Sequence, residues 1–305
     1  MGVSKVFVII VTYNGKQWYS RCFENLRSSA IPIQIIVVDN ASSDDTVNYI
    51  NLNFPEVNVI KSAINLGFGQ ANNLAIKYAL NKNADYVFLL NQDAWIEPNT
   101  IADLICIHQR NLEYGILSPM HLNVQKNRIE KGLSEFIANY NITSLDLIND
   151  MYFNRIQDLY ETKYVNAAAW LLPRITLETI GGFDPIFFHY GEDDNYMHRV
   201  LFHGLKIGIC PRNIIVHDTE NQVQRDTHSQ QSNLKTLLTE YTNINIPFDL
   251  NKNIIFYIRK IIDKIFKVDF KQAHFYLLLL KFILQNKLKI EKSRFQNSLR
   301  EKSWL

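Results

Sequence analysis

The segment Ala84-Asp-Tyr-Val-Phe-Leu-Leu-Asn-Gln-Asp-Ala-Trp-Ile-Glu-Pro98 decides the fold that the sequence predicts. Its apolar run, Tyr86–Leu90, is unbroken and rich in β-branched and aromatic side chains, which is typical of a central parallel strand covered on both faces. The run ends at Asn91-Gln92-Asp93, and a helical pattern begins at Pro98. A carboxylate at the carboxyl end of such a strand lies where open α/β sheets bind ligands, although Asp also begins many simple turns. Asp93 is therefore a candidate site residue whose role depends on the rest of the chain.

Strand patterns followed by helix patterns also occur upstream of this segment. Strands are predicted at Val6–Val11, Ile33–Val38 and Val57–Lys61, and each is followed by a helical pattern. Together with Tyr86–Leu90 and the helix after it, they make four β-then-α units before Leu112. This repetition predicts an α/β fold of the nucleotide-binding type, with a mixed, mainly parallel sheet flanked by helices.

The pattern changes after Leu112. Residues 117–160 alternate polar, Asn-rich stretches with short apolar ones, which indicates a substrate-facing insertion rather than core. Regular patterns then return. They predict strands at Tyr164–Leu172, Leu205–Cys210 and Ile214–Val216, and helices at Arg174–Ile180 and from Glu192 to His203.

The charge of the chain is small in total but unevenly placed. The sequence is 47% hydrophobic and 20% charged, with a net charge of +2, which is ordinary for a soluble protein and does not indicate nucleic-acid binding. Residues 252–294, however, hold eleven Lys or Arg against three Asp or Glu, a local charge of +8. We therefore predict two parts, a catalytic domain at 1–225 and a basic, amphipathic helical region at 226–305.

The basic region contains two helical patterns, at Ile254–Ile265 and Phe275–Ile290. Its longest purely apolar run is far too short to cross a bilayer, which needs about 20 residues. Amphipathic helices with cationic faces can lie on an anionic membrane surface. Their apolar faces can equally pack on the catalytic domain or on a second copy of the chain in a homodimer. The sequence leaves these interpretations open.

The first residues and the cysteines predict a cytoplasmic protein. The apolar run after Lys5 is short and continues into Thr-Tyr-Asn-Gly without a small-residue cleavage site, so a first strand is favoured over a signal peptide. Cys22, Cys106 and Cys210 are widely spaced within apolar patterns, which is typical of buried free thiols in a reducing compartment. The basic region would allow peripheral contact with the inner face of the cell membrane.

Acidic and imidazole side chains recur where predicted strands end or helices begin. They are Asp39, Asp93, the pair Glu192 and Asp193, and His217. One carboxylate and one imidazole are enough for a divalent cation that completes its shell with phosphate and water oxygens. Taken alone, Asp193 is equally well a helix cap and His217 a satisfied strand-end residue. Gly67-Phe-Gly69 is a lone Gly-x-Gly after the third strand, so a dinucleotide-binding dehydrogenase is not indicated.

Five short motifs follow one another along the chain. They are Val8-Ile-Ile-Val-Thr-Tyr-Asn14, Ile36-Val-Val-Asp-Asn-Ala-Ser42, Asn65-Leu-Gly-Phe-Gly-Gln-Ala-Asn-Asn73, Leu89-Leu-Asn-Gln-Asp93, and Gly181-Gly-Phe-Asp184 with Gly191-Glu-Asp193. This ordered set resembles the family 2 glycosyltransferases, which are inverting enzymes with the GT-A fold. The similarity spans roughly residues 5–220 and is greatest to bacterial rhamnosyltransferase-like members.

The resemblance implies a nucleotide-sugar site. In the family, the turn after the first strand and the acid after the second hold the ribose and base of the donor. Carried over to this sequence, the implied contacts come from Thr12, Tyr13, Asn14, Asp39, Asn65, Gly69, Asn91 and Gln92.

The resemblance also implies a metal site and a base. The family's Asp-x-Asp element binds the metal that bridges the donor diphosphate; here it is Asn91-Gln92-Asp93, so the first acid is missing. Asp93 is then the ligand expected for Mg²⁺ or Mn²⁺, and His217 stands where relatives offer a further ligand. The attacking hydroxyl needs a base, which the resemblance assigns to Asp193, with Glu192 second and Asp194 third.

The implied activity is transfer of a sugar from dTDP-rhamnose or a UDP-hexose to a glycan or lipid-linked glycan in bacterial surface polysaccharide synthesis. Two alternatives are kept. A sugar-phosphate nucleotidylyltransferase needs a Gly-rich basic loop after the first strand, which Thr12-Tyr-Asn-Gly-Lys16 does not supply. A non-catalytic nucleotide- or glycan-binding relative fits the missing acid at Asn91, but the presence of all four remaining candidates argues against it. These are Asp93, Glu192, Asp193 and His217.

Overall fold

The computed structural model of the protein describes residues 4–138, 142–219 and 230–305. The strands of this part are β1 (Val6–Thr12), β2 (Ile33–Asp39), β3 (Asn58–Lys61), β4 (Tyr86–Leu90), β5 (Ala94–Ile96), β6 (Tyr114–Leu122), β7 (Tyr160–Thr162), β8 (Ala169–Pro173) and β9 (Lys206–His217). The helices are α1 (Lys16–Arg27), α2 (Thr46–Asn53), α3 (Gly67–Asn81), α4 (Thr100–Arg110), α5 (Lys131–Ala138), α6 (Ile142–Tyr152), α7 (Arg174–Thr179), α8 (Glu192–Phe202), α9 (Gln230–Thr242), α10 (Leu250–Phe266) and α11 (Phe270–Ser298).

Within the described residues the strands form one nine-stranded sheet. Its order is β3-β2-β1-β4-β8-β6-β9-β5, with β7 paired to β9. The four strands from the β-then-α units are parallel to one another, and β8 pairs with β4 in the antiparallel sense. This confirms the predicted mixed α/β sheet flanked by helices, and it brings the carboxyl ends of β1, β2 and β4 to a common edge.

The sheet is covered on both faces, as the continuous apolar runs predict. Successive residues of β1 point to opposite sides: Phe7 and Ile9 belong to one apolar cluster, whereas Val6, Val8 and Ile10 belong to the other. Each such side chain contributes about 1.5–3 kcal/mol to folding when it is fully buried. The runs at β1, β2 and β4 therefore fix a rigid scaffold under the turns that follow them.

The predicted insertion at 117–160 is wrong in its first part. Residues 114–122 form β6, a strand that lies between β8 and β9, and Leu117 is fully buried. Polar residues such as Ser118 and His121 interrupt its apolar pattern, but they are buried too. A strand with buried polar side chains is hard to distinguish from a loop by periodicity alone.

Two other predicted strand boundaries change. The strand expected at Tyr164–Leu172 begins only at Ala169, and Tyr160–Thr162 forms a separate strand against β9. The two strands expected around Pro211 are one strand, β9, whose pairing with β6 shifts register between Pro119 and Met120. Proline cannot donate a ladder hydrogen bond, and an irregular register accommodates it without ending the strand.

Helices α9, α10 and α11 pack against each other and on the rest of the protein. Their shared apolar cluster includes Tyr241, Leu280 and Ile283, and Ile186 from the catalytic part packs against it. One apolar face of the basic region therefore packs on the preceding part of the chain, as one of the interpretations left open by the sequence has it. The predicted boundary at 225/226 lies outside the described residues.

The expectation that all three cysteines are buried holds only in part. Cys22 and Cys210 are buried free thiols as expected, whereas Cys106 is exposed on α4, so that prediction was wrong. No helix within the described ranges combines the length and the apolar character needed to cross a bilayer.

Candidate active site

The turn after β1 is tied to the turn after β2. The Thr12 hydroxyl donates to the Asp39 carboxylate (3.3 Å, Oγ1 to Oδ1), and the Asn40 amide donates to the Thr12 carbonyl (2.8 Å). Asn14 takes a left-handed conformation with φ of 48°, and its side-chain oxygen accepts from the Ser43 amide at 2.8 Å. Thr12, Asn14 and Asp39 therefore lie together at the carboxyl edge of the sheet, where the sequence predicted them.

Asn65 and the start of α3 join the same edge through Asn40. The side-chain nitrogen of Asn40 donates to the Asn65 side-chain oxygen at 2.9 Å. The same Asn65 oxygen accepts from the Gly67 backbone amide at 2.9 Å. Gly67 has φ of +77°, and a Cβ at this position would collide with the Phe188 carbonyl oxygen. The glycine is thus required both by its backbone conformation and by the close approach of the loop before α8.

Gln92 connects the turn after β4 to the turn after β1. Its side-chain oxygen accepts from the Tyr13 amide at 2.9 Å, and its side-chain nitrogen donates to the Tyr13 carbonyl at 3.3 Å. Tyr13 as a whole is 47% exposed. It is therefore free to contact a ligand, while its backbone is held in place.

Asp93 and His217 lie side by side at the carboxyl end of β4. Ala94 pairs directly with His217 in the β5–β9 ladder, which brings the imidazole Nε2 to 3.4 Å from Asp93 Oδ1. Asn91 Nδ2 is also 3.4 Å from that nitrogen. Both Asp93 and His217 are buried. A carboxylate and an imidazole in this arrangement offer the ligand types that a divalent cation uses.

Two further residues, which no motif in the sequence marks, extend this cluster. One ligand atom each of His121, Glu130 and His217 lie within 4.8 Å of one another, and all three residues are buried. Burial, with a smaller contribution from His217, lowers the pKa of His121 to about 3, so this imidazole is neutral. His121 lies within β6 and Glu130 precedes a helix, so no local pattern distinguishes them from structural residues.

Three carboxylates begin α8, where the sequence predicted the base. Burial is the main cause that raises their pKa values: to about 8 for Glu192, to about 7 for Asp194, and above the ordinary value for Asp193. A helix N-terminus favours negative charge, but here desolvation outweighs it. Asp193 is held in position because its carboxylate accepts from the backbone amides of Asp194 and Ala167. A carboxylate with a raised pKa is well suited to accept a proton near neutral pH.

The structure brings these acids to the same edge as the nucleotide candidates. A Cβ on Gly69 would lie 3.6 Å from Cβ of Glu192 and 2.8 Å from Cβ of Phe183, so α3 and the start of α8 are in close contact. On the other side, Ala167 donates to Asp193 while the Ala168 carbonyl accepts from the Asn91 amide at 2.9 Å. Residues 167–168 thus link the base candidate directly to the turn that carries Asp93.

Three comparisons describe what the chain is similar to. Residues 7–168, more than half of the chain, match the model of glycosyl transferase family 2. A low-salt glycan biosynthesis hexosyltransferase of Haloferax volcanii, Agl10, is 26% identical over 226 residues, which are 74% of this chain and 70% of that protein. A dTDP-rhamnosyl transferase of Shigella flexneri, RfbF, is 23% identical over 219 residues, 70% of this chain and 69% of the relative.

A solved structure shares the fold. It is a mannosyltransferase of Pyrobaculum calidifontis, PcManGT, in complex with GDP-mannose and Mn²⁺, with a TM-score of 0.56 and 17% identity. The similarity covers 80% of this chain, which spans only 64% of that protein. At this level of identity the similarity concerns the GT-A fold alone.

Proposed function

The chain belongs to glycosyl transferase family 2 and is a glycosyltransferase, and from this premise we propose that it transfers a sugar with inversion from a nucleotide-sugar donor to a glycan acceptor in surface polysaccharide synthesis. The observation that carries the proposal is the convergence of three turns and the start of α8 at one edge of the sheet. Asp39, Asp93 and Asp193 come from distant parts of the sequence. Asp39 is hydrogen-bonded to the turn after β1, and residues 167–168 are hydrogen-bonded both to Asp193 and to the turn that carries Asp93.

The donor nucleotide is assigned to the turns after β1 and β2. Thr12, Asn14 and Asp39 form a preorganised hydrogen-bonded edge, and Tyr13 offers an exposed ring against which a base can stack. Further contacts are assigned to Asn65, Gly69, Asn91 and Gln92. dTDP-rhamnose is the first donor to test and a UDP-hexose the second, since relatives are named a dTDP-rhamnosyl transferase and a hexosyltransferase.

The reaction requires charge stabilisation on one side of the sugar and a base on the other. We assign the donor's divalent cation, Mg²⁺ or Mn²⁺, to Asp93 with His217 beside it; when bound, such a cation neutralises the charge that develops on the departing diphosphate. Asp193 accepts the proton of the attacking hydroxyl. Backbone hydrogen bonds orient the carboxylate, and its raised pKa improves its strength as a base near neutral pH.

Nucleotide binding tests the proposed function most directly. The melting temperature of the full chain is measured with UDP, dTDP, GDP and CMP, each with Mn²⁺ and with chelator, because a ligand of the folded state raises it by mass action. We expect a metal-dependent rise with dTDP or UDP and none with CMP. Absence of a shift with every nucleotide would instead favour the non-catalytic relative that the missing acid at Asn91 leaves open.

We further propose that the basic region contacts an anionic membrane surface, where a lipid-linked acceptor would lie. Exposed apolar side chains recur on one face of each of its last two helices: Ile255, Ile258, Ile262, Ile265 and Phe266 on α10, and Leu277, Leu284, Leu288 and Phe295 on α11. Lysines are interleaved with both stripes along the sequence, and residues 252–294 carry a charge of +8. Such a charge favours an anionic surface over a homodimer that would bring two copies of this face together.

Liposome flotation distinguishes the two. The full chain should float with vesicles of phosphatidylglycerol and phosphatidylcholine at low salt, should sink with pure phosphatidylcholine, and should be released by high salt. The double variant Ile262→Asp/Phe266→Asp should sink, while Leu52→Asp should float, because Leu52 is 83% exposed on α2, outside the basic region. Sinking of the wild-type chain with anionic vesicles at low salt would exclude the membrane proposal.

A further inference from the structure

In each of two buried histidines, one ring nitrogen lies near a polar side chain and the other has no hydrogen-bond partner among the described residues. His121 Nε2 lies 3.2 Å from the Ser118 hydroxyl, and His217 Nε2 lies 3.4 Å from Asp93. Nδ1 of His121 and Nδ1 of His217 have no hydrogen-bond partner among the described residues. A buried polar atom without a partner costs about 1–3 kcal/mol, so two such nitrogens in one cluster are not explained by a purely structural role.

Glu130 completes the cluster with a carboxylate that is itself held in place. Its oxygens accept from the backbone amides of Gly132 (3.0 Å) and Leu133 (3.0 Å) at the start of α5. This capping role explains why the residue is a carboxylate at this position. The carboxylate can still accept further bonds. It offers about four acceptor sites, and the two backbone amides occupy only two of them.

We propose that His121 Nδ1, His217 Nδ1 and the Glu130 carboxylate bind a divalent cation of the zinc type, at an inner site behind the donor edge of the sheet. Histidines that ligate metals generally bond their second nitrogen to a carboxylate, a hydroxyl or a carbonyl, which fixes the tautomer and the ring orientation. Asp93 and Ser118 occupy those supporting positions here. One ligand atom of each of the three residues lies within 4.8 Å of the others, and bonds of about 2.1 Å to a tetrahedral ion would draw these side chains closer together.

The ligand set favours one class of ion. Two imidazoles and a carboxylate suit Zn²⁺, Co²⁺ or Mn²⁺, whereas Mg²⁺ prefers oxygen ligands. The inner ion would tie the end of β6, the start of α5 and the end of β9 together. His217 would then hold the inner ion through Nδ1 and position the Asp93 carboxylate through Nε2, which lies 3.4 Å from Asp93 Oδ1.

Cation binding without nucleotide tests the inner site. The full chain, stripped with chelator, is titrated with Co²⁺ and followed by visible absorption, with Zn²⁺ as competitor. We expect one ion per chain in the wild type. Loss of an outer partner of a ligand costs about 10- to 100-fold in metal affinity, so His121→Gln and Glu130→Gln, which remove direct ligands, should each weaken binding by at least about 100-fold.

His108→Gln is the matched control. His108 is also buried, its Nδ1 lies 2.9 Å from the Tyr86 hydroxyl, and its Nε2 has no partner among the described residues, but it lies outside the cluster. It should bind the ion like the wild type. Unchanged Co²⁺ affinity in both His121→Gln and Glu130→Gln, or no nucleotide-free binding in the wild type, would overturn the inner site.

The variant Asp93→Asn separates this inference from the proposed function. Its side-chain oxygen still accepts from His217, so nucleotide-free Co²⁺ binding should survive, weakened by at most about 100-fold. Metal-dependent nucleotide binding should be lost. Failure of nucleotide binding in the wild type would contradict the proposed function alone, and it would leave the inner site to be judged on the Co²⁺ titration.

Discussion

Replacing Asp193 by Asn should lower the rate of sugar transfer by about 100- to 10,000-fold, the usual contribution of a positioned general base, while donor binding stays nearly intact. The amide preserves the shape of the side chain and one acceptor for the backbone amides that hold it, but it cannot take a proton. The measurement is the transfer rate with saturating donor, together with nucleotide affinity from the melting shift. Wild-type transfer by the variant would remove Asp193 from its assigned role.

The pH profile gives this prediction a second readout. Burial raises the pKa of Asp193, so its carboxylate is lost, as pH falls, at a higher pH than for an ordinary Asp. Wild-type transfer should therefore decrease toward acid pH before an exposed Asp would protonate, and the residual activity of Asp193→Asn should lack this decrease. Asp194→Asn, one position along α8, is the matched control and should retain most of the rate.

Replacing Asp93 by Ala should weaken nucleotide binding only when Mg²⁺ or Mn²⁺ is present. If the carboxylate contacts the cation that bridges the diphosphate, its loss should cost at least about tenfold in metal-dependent affinity, and it should cost nothing when a chelator has removed the metal. Nucleotide titrations of both proteins with Mn²⁺ and with chelator measure the difference.

Asp45→Ala is the control for this experiment. Asp45 is an exposed acid in the turn after β2 that pairs only loosely with Lys16, at 3.7 Å between Nζ and Oδ2. Its removal tests whether any lost negative charge near the site alters nucleotide affinity. An equal loss for Asp93→Ala with and without chelator would show that Asp93 does not contact the metal.

The parallel half of the sheet could be predicted because each of its strands has a distinct local sequence pattern. β1, β4 and the part of β2 after Gln34 are apolar runs, buried on both faces, that end abruptly at polar residues. The later strands were harder, since β6 contains buried Ser118 and His121 and β9 contains Pro211. Their positions in the sheet depend on pairing between segments far apart in the sequence, which periodicity does not report.

The candidate site was partly predictable for a similar reason. Asp39 and Asp93 follow strands that the sequence predicts, and Asp193 lies in the first turn of a helix that it predicts. Their positions at the edge of the sheet could therefore be predicted together with their chemistry. His121 and Glu130 meet His217 only because β6 and β9 are neighbours in the sheet. The missing first acid at Asn91, which the resemblance implies, points to a difference at the proposed metal site but does not indicate which residues lie nearby.

The loop that leads to the proposed base is held by the far end of the chain. The buried Asp184 carboxylate accepts from the Ser293 hydroxyl at 2.5 Å and the Asn297 side chain at 2.9 Å, both on α11, and the Gly182 amide donates to the Ser303 carbonyl at 2.8 Å. The C-terminal helices are therefore not an interchangeable attachment. In a chimera that took these helices from another family member, the contacts that hold the loop before Asp193 would come from residues that did not evolve with that loop. The loop and the C-terminal helices should therefore be exchanged together, although they are far apart in the sequence.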